Sequence, residues 1–545
     1  MEPKPSSIPV VYEKNNILAH IRETVEKWPD RPAVISGEGD VRLAYRELDQ
    51  RANRLANALA RMGVGKGDRV ALFQTNHWRY AEQYLALLKL GAICVPMNFR
   101  LRSPEALFIL IEAGAKVVIF EDRYVPVFEP IREYLLPVSQ YICAGLGGPE
   151  WAERYDEVID RSSPEEPPPV ELDLDSIAAI SFTSGTTGLP KGSISTHGNV
   201  LVNLYDTMFV EYIKKWAVHP RLGYTINLIN VPIYHIGGVL FLYTGMAQGV
   251  TLVIPQAFSP DGILEIIRRE EVTTTYLVPT MFAMILDHPK FSKEKLQSLR
   301  YVSYGAMPMN PDLLRRILRE FPSHIKFTDA FGMTECNAAT VCKFPEDHDL
   351  TGTPEEVEKK LKHLAGVGRP LSVGIETRLA DEEGRDVLPG VVGEFVCRGQ
   401  KVTPGYWRNA ERTREAFDAD GWLHTGDMGW RDEDGYYYFA DRSKDMINRG
   451  GENIYPMEIE RVLVLHPKVR EAAVFGTSDP RWGKVVQAAV VLNPGESLTE
   501  AELQEFCKKK LASYKCPSKI QFMPELPRSF EGGKVLRRVL RERYG

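Results

Sequence analysis

The sequence predicts an α/β protein: a large N-terminal domain of parallel-rich sheets covered by helices, followed by a small α+β module. Three observations lead there. Short aliphatic runs alternate with segments of helical period along most of the chain, the pattern of parallel strands joined by crossover helices. Leu222 to Pro260 contains no Asp, Glu, Lys or Arg, so its elements are buried. Asp441-Arg442-Ser443-Lys444-Asp445, a dense charge cluster, precedes the double glycine Gly450-Gly451 and reads as an exposed hinge.

In chain order, Asn16 to Trp28 has helical periodicity, Ala33 to Ile35 is strand-like, and Tyr45 to Met62 is an amphipathic helix with Leu48, Ala52, Leu55 and Leu59 at helical spacing. Arg69 to Phe73, Ala92 to Pro96 and Lys116 to Phe120 read as strands, separated by helices at His77 to Leu90 and Pro104 to Ala113. Arg161 to Asp173, with Pro164 and Pro167-Pro168-Pro169, has the composition of a stiff connector. Ile177 to Phe182 is a strand and His197 to Met208 a helix. The uncharged stretch gives strand, turn, helix and strand, and its glycines and prolines leave no apolar run near the roughly 20 residues a membrane span needs. Thr273 to Val278 and Leu299 to Ser303 are strands, Pro311 to Phe321 is a helix, and Asp434-Gly435 marks a hairpin. From Ile459 onward helix and strand alternate in a unit of domain size.

A net charge of −6 on 545 residues gives no basic excess of the kind nucleic acid attracts. The seven cysteines are scattered and form no C-x-x-C, which points to neither a disulfide framework nor a zinc cluster and suits a reducing, cytoplasmic location. Met1-Glu2-Pro3-Lys4-Pro5 leads into polar sequence without the apolar core of a signal peptide.

The chemistry starts at Thr183-Ser184-Gly185-Thr186-Thr187-Gly188-Leu189-Pro190-Lys191-Gly192. Four hydroxyls, three glycines and one lysine in ten residues suit a polyphosphate: glycine lets backbone N–H groups approach, hydroxyls donate, and lysine supplies charge. Pro190 before the lysine and Gly192 after it exclude the Walker A spacing. The string S-G-T-T-G-x-P-K-G resembles the signature loop of the adenylate-forming superfamily, which includes acyl-CoA synthetases, carrier-protein adenylation domains and luciferases.

Four further motifs follow in that family's order. Tyr304-Gly305-Ala306-Met307-Pro308 is a small-residue turn against which a flat ring can lie. The resemblance places adenine there, with Tyr304, where the family usually has a small residue, shaping the acyl pocket. Asp329-Ala330-Phe331-Gly332-Met333-Thr334-Glu335 follows a strand and offers a carboxylate and a hydroxyl, hard donors that suit Mg²⁺. The family motif is Y-G-x-T-E, with Phe331 in place of Tyr. By resemblance Thr186 and Glu335 bind the metal, Thr334 meets phosphate, and Asp329 reaches the adenine amino group. Gly421-Trp422-Leu423-His424-Thr425-Gly426-Asp427 matches G-W-x-x-T-G-D, so Asp427 is the expected ribose ligand, and the resemblance puts Arg442 on the ribose as well. Leu526-Pro527-Arg528-Ser529-Phe530-Glu531-Gly532-Gly533-Lys534 resembles P-R-T-x-x-G-K with one residue added, and Lys534 is the expected catalytic lysine.

The resemblance also makes His235, in Pro232-Ile233-Tyr234-His235, a gate beside the acyl group. It assigns Tyr234, His235, Tyr304, Ala306, Met333 and Cys336 to the acyl pocket, and sets the nucleotide against Thr183 to Gly188, Lys191, Gly305 to Met307, Phe331 and Gly332. It divides the chain into a large domain, residues 1–443, and a small mobile domain, residues 444–545, with Lys444 as pivot and Gly450 and Gly451 near the pantetheine tunnel.

The implied activity is ATP-dependent conversion of a fatty or aryl acid to an acyl-adenylate, then transfer to the thiol of CoA with release of AMP. The expected partners are the acid, ATP, CoA and Mg²⁺, with no nucleic acid; a homo-oligomer is left open. The absence of a domain after residue 545 favours CoA over a carrier protein. An enzyme that loads a separate carrier, and a non-catalytic nucleotide- or acyl-binding relative, are the alternatives.

Overall fold

Asn16 accepts a hydrogen bond from the Ala19 amide (2.9 Å), and this cap starts the helix Ile17–Lys27. The next helix, Tyr45–Arg61, turns Leu48, Ala52, Leu55 and Leu59 into the core, where all four are buried. Its polar face serves the connector. Asn53 donates to the Pro164 carbonyl (2.9 Å), Arg54 to Ser162 (2.5 Å), and Asn57 to Ser163 (3.0 Å) and Glu165 (2.8 Å). An extended proline-rich segment has no internal partners for its carbonyls, so the helix supplies them.

The computed structural model describes residues 9–183, 190–205, 215–306, 309–371, 373–442, 445–449, 452–479, 483–511, 513–528 and 535–544. The chain divides into two compact units, Met1–Thr377 with Cys397–Leu423, and Arg378–Val396 with His424–Gly545.

The larger unit is built on two sheets. One has seven strands in the order Glu153–Arg154, Gln140–Ala144, Ala115–Glu121, Arg69–Phe73, Ile93–Pro96, Ile177–Thr183, Lys191–Thr196. The other has nine: Arg369–Pro370, Ala338–Lys343, Lys326–Met333, Tyr301–Gly305, Thr274–Leu277, Ile226–Leu228, Thr251–Ile254, Pro32–Ser36, Arg42–Ala44. The α/β expectation holds. Parallel pairing fills the sheet interiors, while Pro32–Ser36 with Arg42–Ala44, Lys326–Met333 with Ala338–Lys343, and Ile177–Thr183 with Lys191–Thr196 are antiparallel. Their connections are too short for a parallel crossover of a dozen residues or more. The signature motif therefore lies between two neighbouring antiparallel strands, Ile177–Thr183 and Lys191–Thr196.

The uncharged stretch contributes the strand Ile226–Leu228, the helix Ile236–Ala247 and the strand Thr251–Ile254. Val239, Leu242, Tyr243 and Met246 of that helix are fully buried in the core between the sheets and their helices. No described helix is long and apolar enough to cross a membrane.

The smaller unit carries a four-stranded sheet, Glu376–Ala380, Gly393–Arg398, Leu423–Arg431 and Tyr437–Arg442, whose last two strands flank Asp434-Gly435 as an antiparallel hairpin. Gly435 takes φ +81°, which glycine adopts without strain. Beyond it lies the expected small module. The strands Val469–Asp479, Gly483–Leu492 and Lys519–Phe522 form one sheet, flanked by the helices Pro456–Val464, Glu500–Lys508 and Arg537–Tyr544.

Candidate active site

The signature loop's flanks are ordered by pairing. Phe182 faces Gly192 and Thr183 faces Lys191 across the ladder, so the lysine leaves the strand at the mouth of the hairpin. Ser184, Gly185, Thr186, Thr187 and Gly188 lie outside the described residues, as do Met307, Lys444, Gly450, Gly451 and Lys534. For Arg442 the backbone is described.

Lys191 Nζ lies 3.1 Å from Glu335 Oε1. Glu335 is only 3% exposed and belongs to the short 3-10 turn Thr334–Cys336 that follows the strand Lys326–Met333. Asn337 ends this turn in the left-handed region, φ +45°. Its carbonyl oxygen Oδ1 accepts from Ser195 Oγ (2.6 Å) and its amide donates to Lys401 O (3.0 Å). Since Ser195 lies on the strand that begins with Lys191, this buried bond fixes the carboxylate turn to the lysine strand.

The segment 403–407 completes the cluster. Thr403 N donates to Glu335 O (2.7 Å) and Trp407 N to Gly192 O (2.8 Å), so one stretch of backbone binds both elements. Tyr406 donates to Glu335 Oε1 (3.0 Å), and Lys191 Nζ contacts the same hydroxyl while lying 4.2 Å from the ring centroid. Burial, then the charge of Glu335, pushes the Tyr406 phenol far above its ordinary pKa. Tyr406 is therefore a neutral donor beside an ion pair.

The turn expected to meet adenine stands at the C-terminal edge of the parallel strands of the nine-stranded sheet, where ligands settle in open α/β sheets. A Cβ on Gly305 would come 2.3 Å from Ala330 O and 2.9 Å from Tyr276 Oη, so only glycine lets the neighbouring strand approach. Ala306 follows with φ +64° and is exposed. Tyr304 points the other way. It is fully buried, hydrogen-bonds His348 Nε2 (2.8 Å) and packs edge-on against Phe282. His348 in turn meets Phe344 O through Nδ1 (2.8 Å), and burial brings its pKa down to about 4. The ring is thus neutral, with Nδ1 donating and Nε2 accepting from Tyr304.

Asp329, 8% exposed, faces Lys343 across the antiparallel ladder and pairs with its Nζ at 2.7 Å. Lys343 also donates to Leu364 O and Gly366 O, both at 2.8 Å, and is itself buried. Burial raises the Asp329 pKa against the opposing pull of Lys343. The side chain expected to reach adenine is thus held by a lysine from the next strand. Phe331 and Met333 are half-buried, Gly332 is exposed, and Thr334 is half-buried beside Glu335. Cys336 is fully buried in a cluster with Cys342 and Cys397, and its thiol pKa is pushed up by the bond to Cys397 and then by burial.

His235 precedes the helix Ile236–Ala247, its ring 4.3 Å from that of the buried Tyr234, which meets Phe99 edge-on. Asn76 holds this segment, donating to Val231 O (2.7 Å) and accepting from Ile233 N (2.9 Å). Gly238 packs so closely that a Cβ would lie 2.5 Å from Ile233 Cα.

In the smaller unit Asp427 and Arg442 are register partners across the hairpin, so the two expected ribose ligands lie side by side. Glu394 prepares the turn before them: Oε2 meets His424 Nδ1 and Oε1 accepts from Gly426 N, both at 2.8 Å. In the terminal module Asp445 contacts Arg537 (3.5 Å) and Arg541 (3.2 Å), and Arg537 grips Glu460 with both carboxylate oxygens (2.7 and 2.8 Å). Arg528 and Val535 form an antiparallel bridge and Leu536 N donates to Pro527 O (2.7 Å), so the described residues on either side of 529–534 are paired.

Tyr406, Asn337 and Lys343 were not among the expected residues. Each acts through a backbone position or a burial that no local pattern marks.

Residues 21–407 match the family model described as "AMP-binding enzyme", and residues 458–532 match "AMP-binding enzyme C-terminal domain". The fatty acid–[acyl-carrier-protein] ligase ScoC of Streptomyces coeruleorubidus is 36% identical over 95% of this chain and 94% of its own. A feruloyl-CoA synthase of Amycolatopsis is 35% identical over 95% and 98%. The o-succinylbenzoate CoA synthetase of Bacillus subtilis, solved with its acyl-adenylate intermediate, superposes with a TM-score of 0.80 at 30% identity, covering 97% of this chain and 98% of that one. With both family models matched and relatives aligned over nearly its whole length, the chain belongs to the AMP-binding enzymes and is an adenylate-forming acyl-CoA synthetase, an AMP-forming acid–CoA ligase.

Proposed function

We propose that this chain activates a fatty or aryl carboxylic acid in the cytoplasm, with Mg²⁺ as the metal of its ATP step. The observation that carries the site assignment is the juxtaposition of Lys191 and Glu335 at the mouth of the signature hairpin. A carboxylate is a poor acyl donor, since its leaving group would be oxide. Its oxygen attacks the α-phosphorus of ATP, the bond to the β-phosphate bridge breaks, and pyrophosphate leaves. The CoA sulfur then attacks the acyl carbon, AMP departs, and the thiol proton passes to solvent.

Two anions must meet in the first step. Lys191 and Lys534 neutralise that repulsion, the hydroxyls of Thr183, Ser184, Thr186 and Thr187 bind the phosphates, and Asp427 and Arg442 hold the ribose. Glu335, a buried carboxylate with hard oxygens, fits Mg²⁺ together with the Thr186 hydroxyl. When bound, the ion supplies positive charge to the phosphates. Lys444 is the pivot on which residues 444–545 turn between the two steps, withdrawing Lys534 and bringing Gly450 and Gly451 to the thiol channel. His235 gates the acid, with Tyr234, Ala306 and Met333 beside it. The seven cysteines, all buried free thiols, suit a reducing compartment.

The names of the relatives support both acid classes, and ScoC's name favours a second reading in which the thiol is a carrier protein's. AMP release across aliphatic and aromatic acids, with CoA, with a phosphopantetheinylated carrier, and with neither, separates the readings. Turnover needing both acid and CoA is the expected result. Turnover only with the carrier would replace it.

A further inference from the structure

The Tyr406 hydroxyl stands between the two charged groups of the site, and its one proton is committed to Glu335 Oε1 at 3.0 Å. Its oxygen is thereby turned to Lys191, whose ammonium contacts it and also lies against the ring face. The three groups close a triangle, since Lys191 Nζ and Glu335 Oε1 are themselves 3.1 Å apart. An ammonium carries three donors, so with Tyr406 and Glu335 each taking one, a third is left for an anion.

The backbone explains why this tyrosine is held so closely. Ser193 and Tyr406 form an antiparallel bridge, Ile194 N donates to Gly405 O (3.2 Å), and Thr403 Oγ donates to Ile194 O (2.7 Å). Thr403 N meanwhile binds the carbonyl of Glu335 itself (2.7 Å). Residues 403–407 thus lie on the lysine strand and on the carboxylate turn at once, and Tyr406 repeats in its side chain the link its backbone makes. A phenylalanine would fill the same space and keep the ring under Lys191. The hydroxyl adds only the link between opposite charges.

We propose that Tyr406 is the positioning residue that sets the separation of Lys191 and Glu335, and that its hydroxyl serves adenylate formation and not thiol transfer. This rests on the ligase reading above. Lysine has a long flexible stem, and an anchored ammonium meets the incoming triphosphate without first being ordered.

The test is Tyr406→Phe in the full chain, using the acid that wild-type protein turns over best. Acid-dependent pyrophosphate exchange is expected to fall about 10–100-fold, the range for losing a hydrogen bond to a charged group. Thioester formation from supplied acyl-adenylate and CoA stays within about twofold. Calorimetric titration with ATP, with Mg²⁺ and with EDTA, shows the strengthening by Mg²⁺ reduced. In a Glu335→Gln background the same substitution costs less than about twofold, because the group it orients is already altered. Exchange at the wild-type rate, an equal fall in both half-reactions, or full additivity with Glu335→Gln would each overturn the proposal. Wild-type protein with no acid-dependent exchange at all would instead overturn the ligase reading, and this proposal with it.

Discussion

The ion pair between Lys191 and Glu335 joins the two sheets of the larger unit: the lysine begins the outermost strand of the seven-stranded sheet, and the carboxylate follows the strand Lys326–Met333 of the nine-stranded one. Motifs far apart in the chain therefore meet where the sheets do.

Glu335→Gln keeps the shape and an acceptor for Tyr406 but removes the charge. Acid-dependent pyrophosphate exchange is expected to fall about 10²–10³-fold, the scale for losing one preorganised electrostatic group. The variant should melt within a few degrees of wild type. Exchange within about threefold of wild type would move the metal site elsewhere.

Lys534→Ala divides the two half-reactions. Adenylate formation is lost, while thioester formation from supplied acyl-adenylate continues. An equal loss of both would end the assignment of Lys534 to the first step alone.

Gly238→Ala places a methyl group 2.5 Å from Ile233 Cα and 2.6 Å from Pro232 O, beside the His235 segment. Overpacking of this kind costs about 1–3 kcal/mol. Urea unfolding checks the stability, and kinetics should show a larger change in KM for the acid than for ATP. Unchanged stability together with an unchanged KM would contradict the packing argument.

The half-buried His77 and the buried His197 and His348 are each brought by desolvation from the usual 6.5 to about 4. A lowered folded pKa means that the unfolded chain binds the proton first. Stability is therefore fully present above pH 6.5 and is lost as pH falls from 6.5 toward 4, by about 2 kcal/mol per histidine at pH 5. Urea unfolding at pH 7.5, 6 and 5 measures this slope, and His348→Gln should flatten it. A slope unchanged by that substitution would show that His348 already titrates normally.

Most of this fold could be read from the chain because its elements carry their own signals. The helix Tyr45–Arg61 and the strand Arg69–Phe73 fall where periodicity and aliphatic runs place them, since burial of one face is what the pattern records. The hairpin at Asp434-Gly435 was legible from its turn, but a register shift between Met428 and Gly429, which the turn does not announce, is what brings Arg442 opposite Asp427. Other parts depend on distant packing. Tyr304 stands in a strand whose alternation says nothing about which face meets His348, and Asp329 is claimed by Lys343 only because the next strand returns antiparallel. Asn337 needs a positive φ that its neighbours do not announce. Tyr406 lies in an irregular stretch whose pairing with Lys191–Thr196 is long-range.

If the acid is carried through an acyl-adenylate, that species can be observed directly. The protein is incubated with ATP, Mg²⁺ and its best acid without CoA, analysed by mass spectrometry, and then chased with CoA. The expected result is bound acyl-AMP with one equivalent of pyrophosphate, converted by the chase to acyl-CoA and AMP. Formation of ADP with an acyl phosphate, or acyl-CoA that appears with no adenylate before it, would contradict it.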